Sequence, residues 1–263
     1  MTRFLVTQFA FLCALCVWQP LHASLIAEWA GDGNTDESVA GRDGTLQNGA
    51  TFRTGKIGQA FSLDGNNDYI SVADNDVWTL GSEFTISLFA NFDDVKQQPI
   101  GLLPNVFIGH DEGGGEFDKW VLFFDDVPDG SNTGNLVFHI NNGASDFLVS
   151  PTSFTVTPGQ WHHFSVTRSG STYTFYADGA SLGTRTLTRT ISNANALLTI
   201  GQAEGLGFFD GGLDEIQIYN EALSASQIAS IANVPEPASL AIWSVIGGIG
   251  LIAGWRRRRK TAE

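Results

Sequence analysis

The chain has 263 residues, enough for one large β domain or two small ones, and its 30 glycines with only 16% charged residues favour many short strands joined by turns over long solvated helices. The formal net charge is −14, and residues 24–234 alone carry 8 basic against 26 acidic side chains. A domain this acidic repels phosphate backbones, which argues against nucleic acid as a partner and leaves cations and neutral or basic surfaces.

The opening stretch, "MTRFLVTQFAFLCALCVWQPLHAS", sets Arg3 before an apolar run through Trp18, a breaker at Pro20 and a small residue at Ala23. This is the layout of a secretory signal peptide over residues 1–23, with cleavage after Ala23. A lipoprotein reading does not fit, because Leu12 and Leu15 rather than small residues precede Cys13 and Cys16. With the leader removed the chain has no thiol, so core size or calcium must stabilise it instead of a disulfide or a Cys-bound metal.

The next segment carries the first of three Asp-Gly-x-x-Asp stretches, "DGNTD" at 32–36, which is followed by "DGNND" at 64–68 and "DGGLD" at 210–214. Asp and Asn accept backbone N–H groups in tight turns and Gly supplies positive φ, so all three read as turns between strands. The same oxygens suit calcium, which takes six to eight oxygen ligands. Asp32, Asn34, Asp36 and Asp43 alternate here, but Glu37 stands where an EF-hand needs Gly and Asp43 where it needs a bidentate Glu.

Further along, "FTISLFANF" puts Phe84, Ile86, Leu88, Ala90 and Phe92 on one face of a strand, and "STYTFYADG" does the same with Tyr173, Phe175 and Ala177. Turn residues "RSGS" at 168–171 join "WHHFSVT" to the latter as a hairpin, and "ADGAS" at 177–181 opens another. The pattern predicts an all-β, two-sheet antiparallel sandwich. In "LSASQIASI", Ser224 and Gln227 form a capping box for one short helix that buries Ile228 and Ile231.

Between these strands lies the acidic loop "HDEGGGEFDKW" at 110–120. Its Asp111, Glu112, Glu116 and Asp118 read either as a solvated loop or as part of a ligand site beside Phe117 and Trp120. Aromatic faces bind sugar C–H surface next to polar groups that fix hydroxyls, which makes Trp120 and Phe117, with Glu116 and Asp118, the candidate ligand-binding set. Trp120 also begins the strand "WVLFF" and can equally belong to the core.

The tail, "VPEPASLAIWSVIGGIGLIAGWRRRRKTAE", has 18 uncharged residues at 238–255, about 27 Å of helix at ~1.5 Å per residue, followed by a basic run at 256–260. One inner-membrane span is expected, with the basic run cytoplasmic and residues 24–233 as the domain on the far side. The order Pro235-Glu236-Pro237, span, basic tail resembles the PEP-CTERM sorting signal of Gram-negative bacteria. That resemblance implies processing of segment 234–263 by an exosortase and a place at the cell surface or in an exopolysaccharide matrix. A permanent single-span anchor is the alternative.

The blocks "LIAEWAGDGNTDESVAGRDGTLQNGATF", "GKIGQAFSLDGNNDYISV", "FTISLFANF", "TPGQWHHFSVTRSGSTYTFYADG", "LLTIGQ" and "FDGGLDEIQIYNEALSASQI" together resemble, in order, the laminin G-like jelly-roll domain of the concanavalin A-like and pentraxin-like sandwiches. The resemblance covers about residues 25–232 and implies two face-to-face antiparallel sheets. It also implies one structural Ca2+ near the N-terminal loop, carried over to Asp36 and Asp214, with Asp32 as a further ligand. A pentraxin-type calcium loop would pair the 110–120 loop with the segment after "IGQ", where Glu204 offers a side-chain oxygen and Gly205 none. Trp29 and Trp161 fall at positions that pack.

Three functions remain open at this point. Laminarinase-like relatives carry Glu-x-Asp-x-x-Glu on one strand, whereas "EFDKWV" has Val121 at the third acid, so a glycoside hydrolase is disfavoured. His162 and His163 read as satisfied histidines rather than a catalytic base. Binding of carbohydrate, exopolysaccharide in particular, is the favoured reading. A structural or adhesive surface role without a discrete glycan site is the alternative.

Overall fold

The computed structural model describes residues 24–98, 100–113, 118–126 and 129–234. The leader with Ala23, the loop residues Glu116 and Phe117, the tripeptide Pro235-Glu236-Pro237, the 238–255 span and the basic tail lie outside the described residues. Among the described residues no helix is long and apolar enough to cross a membrane.

In chain order the strands begin β1 (Leu25–Trp29), β2 (Gly44–Gln47), β3 (Thr51–Thr54), β4 (Gln59–Asp64), β5 (Tyr69–Val72), β6 (Glu83–Phe92), β7 (Val106–Asp111) and β8 (Lys119–Asp126). They continue as β9 (Thr133–Asn141), β10 (Ser145–Val149), β11 (Phe154–Thr155), β12 (Trp161–Ser169), β13 (Thr172–Ala177), β14 (Ala180–Thr186), β15 (Leu198–Ile200) and β16 (Asp210–Tyr219). The helix α1 (Ala225–Ala232) follows. One sheet runs β14-β13-β12-β6-β16-β4-β3 with β1 against β16, and the other runs β10-β9-β8-β7-β15-β5-β2 with β11 against β9. Neighbours pair antiparallel throughout. The fold is an all-β jelly-roll sandwich, as the period-two patterning predicts.

The alternation read from the sequence is the alternation of the core. Phe84, Ile86, Leu88, Ala90 and Phe92 of β6 and Tyr173, Phe175 and Ala177 of β13 all enter one buried cluster between the sheets. Aromatic rings dominate its middle: Phe92 meets Phe107, Phe124, Phe164 and Phe209 edge-on at 4.9–6.2 Å. Such contacts add to the burial of apolar area. The two hairpins form as expected, β12–β13 over 169–172 and β13–β14 over Asp178 and Gly179, both at positive φ.

The capping box of α1 is complete: the Gln227 N–H donates to the Ser224 hydroxyl and the Ser224 N–H to Gln227 Oε1. Ile228 is fully buried against Tyr176 and Leu223, while Ile231 is half-buried at the margin of that small cluster. The helix thereby covers the outer side of the first sheet near β13.

The third Asp-Gly-x-x-Asp stretch corrects the expectation of a turn. Residues 210–214 open the central strand β16, paired with β4 on one side and β6 on the other. Glycine is needed there for close packing: a Cβ on Gly211 would sit 2.0 Å from the Asn91 carbonyl oxygen, and one on Gly212 2.8 Å from the Trp161 ring. The stretch at 64–68 is a turn, in which the Asp64 carboxylate accepts the Asn66 and Asn67 N–H groups while Asp68 accepts Gly49 N–H.

Candidate functional site

The N-terminal loop that carries the expected calcium ligands is organised by Glu37. Its buried carboxylate accepts four backbone N–H groups, those of Glu28, Val39, Ala40 and Arg42, while Asp43 accepts the Glu37 N–H. Burial pushes the Glu37 carboxyl up, but the four donors outweigh it and hold it below the ordinary range. The middle of this loop is thus satisfied by N–H groups, and Asp36 is exposed on its outside.

Asp32 and Asp214 instead clasp the segment between β3 and β4 from two sides. Asp32 Oδ1 accepts Gln59 N–H at 2.7 Å and Asp214 Oδ2 accepts Ile57 N–H at 3.0 Å. A bulge in β16, with Glu215 at φ 49°, turns Asp214 to this side. Asp214 is fully buried, its Oδ1 has no hydrogen-bond partner, and burial pushes its carboxyl up to about 7. Glu215 beside it is pushed up to about 7 by burial and then by Glu28 and Asp32. Among the described residues no three His, Cys, Asp or Glu side chains converge on a metal position. Asp214 thus presents an orphaned carboxylate oxygen with Glu215 as its acidic neighbour, while Asp32 and Asp36 are both exposed.

The second candidate region looks different from its sequence. Trp120 is fully buried in the main core, stacked on Phe138 at 6.1 Å, with its Nε1–H donating to the Trp78 carbonyl at 2.8 Å. The expected sugar platform is therefore corrected: the ring faces the opposite sheet because strand alternation puts Lys119 and Val121, not Trp120, on the outer side. Asp118 is half-buried at the start of β8, and its carbonyl accepts Glu112 N–H. Trp161 packs half-exposed over Gly212 on the outer side of the first sheet rather than in the core.

The described ends of the acidic loop are not simply solvated either. Lys119, with no exposed surface, sends its ammonium to the Gly113 carbonyl and Glu204 Oε1 and lies 3.4 Å from Asp111 Oδ1. The Asp111 side chain is only 3% exposed. Burial pushes its carboxyl up to about 6, and the Gly113 N–H and Lys119 draw it partly back. Glu204 occupies a tight turn with Gly205, both at positive φ, closed by the Ala203–Leu206 bridge and by Gly205 N–H donating to Gln202 Oε1. Thr199 anchors the same turn through the Gln202 carbonyl, and Asn195 N–H reaches Glu112 Oε1.

Between these two loops and β5 lies a groove of about 250 Å³ lined by Tyr69, Asp111, Glu112, Leu197, Thr199, Gln202 and Glu204. It joins a half-buried aromatic ring and an exposed leucine to carboxylates, an amide and a hydroxyl, the mix that sugar rings require. The sequence named Asp111, Glu112 and Glu204 for a calcium loop or a solvated loop, and did not single out Tyr69, Thr199, Gln202 or Lys119. A larger depression of about 330 Å³ beside α1, lined by Tyr219, Leu223, Ser226, Gln227, Ser230 and Ile231, holds no charged side chain.

Val121 and Phe123 lie buried with Val106, Val137, Leu103 and Ala203 in a second apolar cluster. His163 pairs with Ser87 at 2.8 Å but is 1% exposed, and burial holds its imidazole down at about 4. His162 accepts Thr157 N–H at Nε2, which makes its Nδ1–H the donor to Asp178. Both histidines are thus hydrogen-bonded within the sandwich.

The sequence profile of the concanavalin A-like lectin/glucanases superfamily (Laminin_G_3) matches residues 64–229. No curated protein matches the chain. Among solved structures, domain 4 of AbnA, an extracellular arabinanase of Geobacillus stearothermophilus in complex with arabinotriose, is similar over 80% of this chain and 99% of that one, at TM-score 0.63 and 22% identity. The binding domain of Paraclostridial Mosquitocidal Protein 1 superposes at TM-score 0.61 with 19% identity, over 80% of this chain and 52% of its own. The binding domain of botulinum neurotoxin DC in complex with SialylT does so at 0.58 with 15% identity, over 80% and 51%. The chain spans about half the length of both toxin fragments. At these identities the likeness is one of fold.

Proposed function

We propose, for a chain that belongs to the concanavalin A-like lectin/glucanases superfamily, a non-catalytic function: recognition of carbohydrate in the groove between the 111–113 loop, the 202–205 turn and Tyr69. The observation that carries this reading is the clasp around Lys119, which ties Asp111 and Gly113 to Glu204 while leaving Tyr69, Glu112, Thr199 and Gln202 along the groove. Sugar-bound neighbours of the same fold support it, since arabinotriose and a sialylated ligand are bound to two of them. The groove's size suits a chain end or a single ring, and its acidic lining favours neutral or amine-bearing sugars over acidic ones. Affinity electrophoresis of the full-length chain in mild detergent, through gels cast with arabinan, β-glucan and sialylated polymers, tests this. Retardation by at least one neutral polymer is expected, weakened about tenfold by Tyr69→Ala, equivalent to ~1.4 kcal/mol. Equal mobility of both proteins in every gel would remove the groove as a site.

Export completes the proposal. The leader over residues 1–23, the Pro235-Glu236-Pro237 mark, the span and the basic tail support delivery across the inner membrane and processing by an exosortase toward the surface or matrix. Protease added to intact spheroplasts should digest the sandwich along with a periplasmic control; protection would contradict it. A single structural Ca2+ is part of the proposal, held by Asp214 and Asp32, where it would neutralise a carboxylate that the fold buries with one oxygen unpaired. Asp36, exposed as Asp32 is, stays a further ligand that the family resemblance implies.

A further inference from the structure

Lysine is among the side chains least often fully buried, and an ammonium withdrawn from water is costly unless its protons all find acceptors. Lys119 meets that condition in one arrangement: its three N–H donors face the Gly113 carbonyl, Glu204 Oε1 and Asp111 Oδ1. These oxygens come from the end of β7, from the loop after it and from the turn after β15, parts of the chain about ninety residues apart in sequence. The outer oxygen of the set, Asp111 Oδ2, is buried and has no hydrogen-bond partner. Two carboxylates and a carbonyl aimed at one buried positive charge form the donor set a hard divalent cation takes.

We propose that the Lys119 ammonium is a built-in substitute for a bridging metal ion, joining the 111–113 loop to the 202–206 turn so that the groove is formed without any divalent cation. A charge supplied by β8, directly opposite Asp111 in the β7–β8 register, needs no second molecule to bind and leaves no metal to lose. The groove is therefore ordered at low calcium and indifferent to chelators. As an account of ligand binding this rests on the groove being the site; the arrangement of charges can be tested with calcium alone.

The experiment uses full-length protein in mild detergent carrying Asp214→Asn, which removes the other proposed calcium position, and compares it with the same protein carrying Lys119→Ser as well. Without the ammonium two carboxylates and a carbonyl are left facing one another. Thermal unfolding of the double variant is expected to start lower in EDTA and to rise by about 5 °C or more in millimolar calcium, whereas Asp214→Asn alone does not respond. A folded double variant with the same midpoint in EDTA and calcium would overturn the proposal. If Lys119→Ser does not fold in either condition, hydrogen exchange on the Asp214→Asn protein decides. Equal protection of amides 111–113 and 202–206 in EDTA and calcium supports the substitution, and calcium-dependent protection there overturns it. Absence of glycan retention alongside the expected calcium results counts against the groove reading alone.

Discussion

Glu37→Ala is expected to destabilise the fold by roughly 2–4 kcal/mol at pH 7, since four backbone N–H groups lose their acceptor and each buried unsatisfied donor costs ~1–3 kcal/mol, less where water reaches the loop. Glu37→Gln keeps an acceptor oxygen and should lose less. The sign with pH follows from the direction of the shift. A carboxyl held below its ordinary value of 4.5 contributes stability that is present above that value and is lost as the pH falls through the folded-state value. The difference between wild type and Glu37→Gln should therefore shrink as the pH falls below about 4.5. Urea unfolding of the three proteins at pH 7 and pH 4 measures this. A Glu37→Ala midpoint equal to wild type at pH 7 would mean that the 36–43 loop is ordered by something else, a bound cation at Asp36 and Asp43 being the first alternative.

Trp120→Ala carries a comparable or larger effect, about 3–5 kcal/mol, because it empties a fully buried indole site beside Phe138 and leaves the Trp78 carbonyl without its donor. Trp120→Phe retains most of the packing and should cost about 1–3 kcal/mol through the lost hydrogen bond and the smaller ring. The informative readout is the pair of measurements. Trp120→Phe should keep polysaccharide retention while its unfolding midpoint drops, since the ring faces the interior and not the groove. A variant with wild-type stability that no longer binds would restore Trp120 to the ligand surface.

The strands were legible because burial on one face leaves a period-two imprint, and the helix because a capping box is a local chemical pattern; both could be read in "FTISLFANF" and "LSASQI". The sites were less legible for identifiable reasons. "DGGLD" has turn composition, yet its glycines serve the close approach of Asn91 and Trp161, which are far away in sequence. Trp120 could be given either face until its phase was fixed by pairing with His110 and Ile140. The acidic loop and "IGQAEG" were read as a solvated loop or an incomplete calcium site, because a sequence does not show that a lysine from the next strand reaches between them. Asp214 and Asp32 were named from the sequence, and each holds a backbone N–H of the chain between β3 and β4. Asp36 was named with them from the family resemblance, whereas Glu37, one residue on, is the side chain that the loop closes around.

The claim that the groove is where carbohydrate is held is tested most directly by hydrogen-exchange footprinting of the full-length protein with and without a saturating amount of whichever polymer retards it. Slower exchange confined to β5, to residues 109–113 and to residues 197–206 is the predicted footprint. Protection centred on the depression beside α1, or on the outer side of the first sheet around Trp161, with the 109–113 and 197–206 amides unchanged, would contradict it.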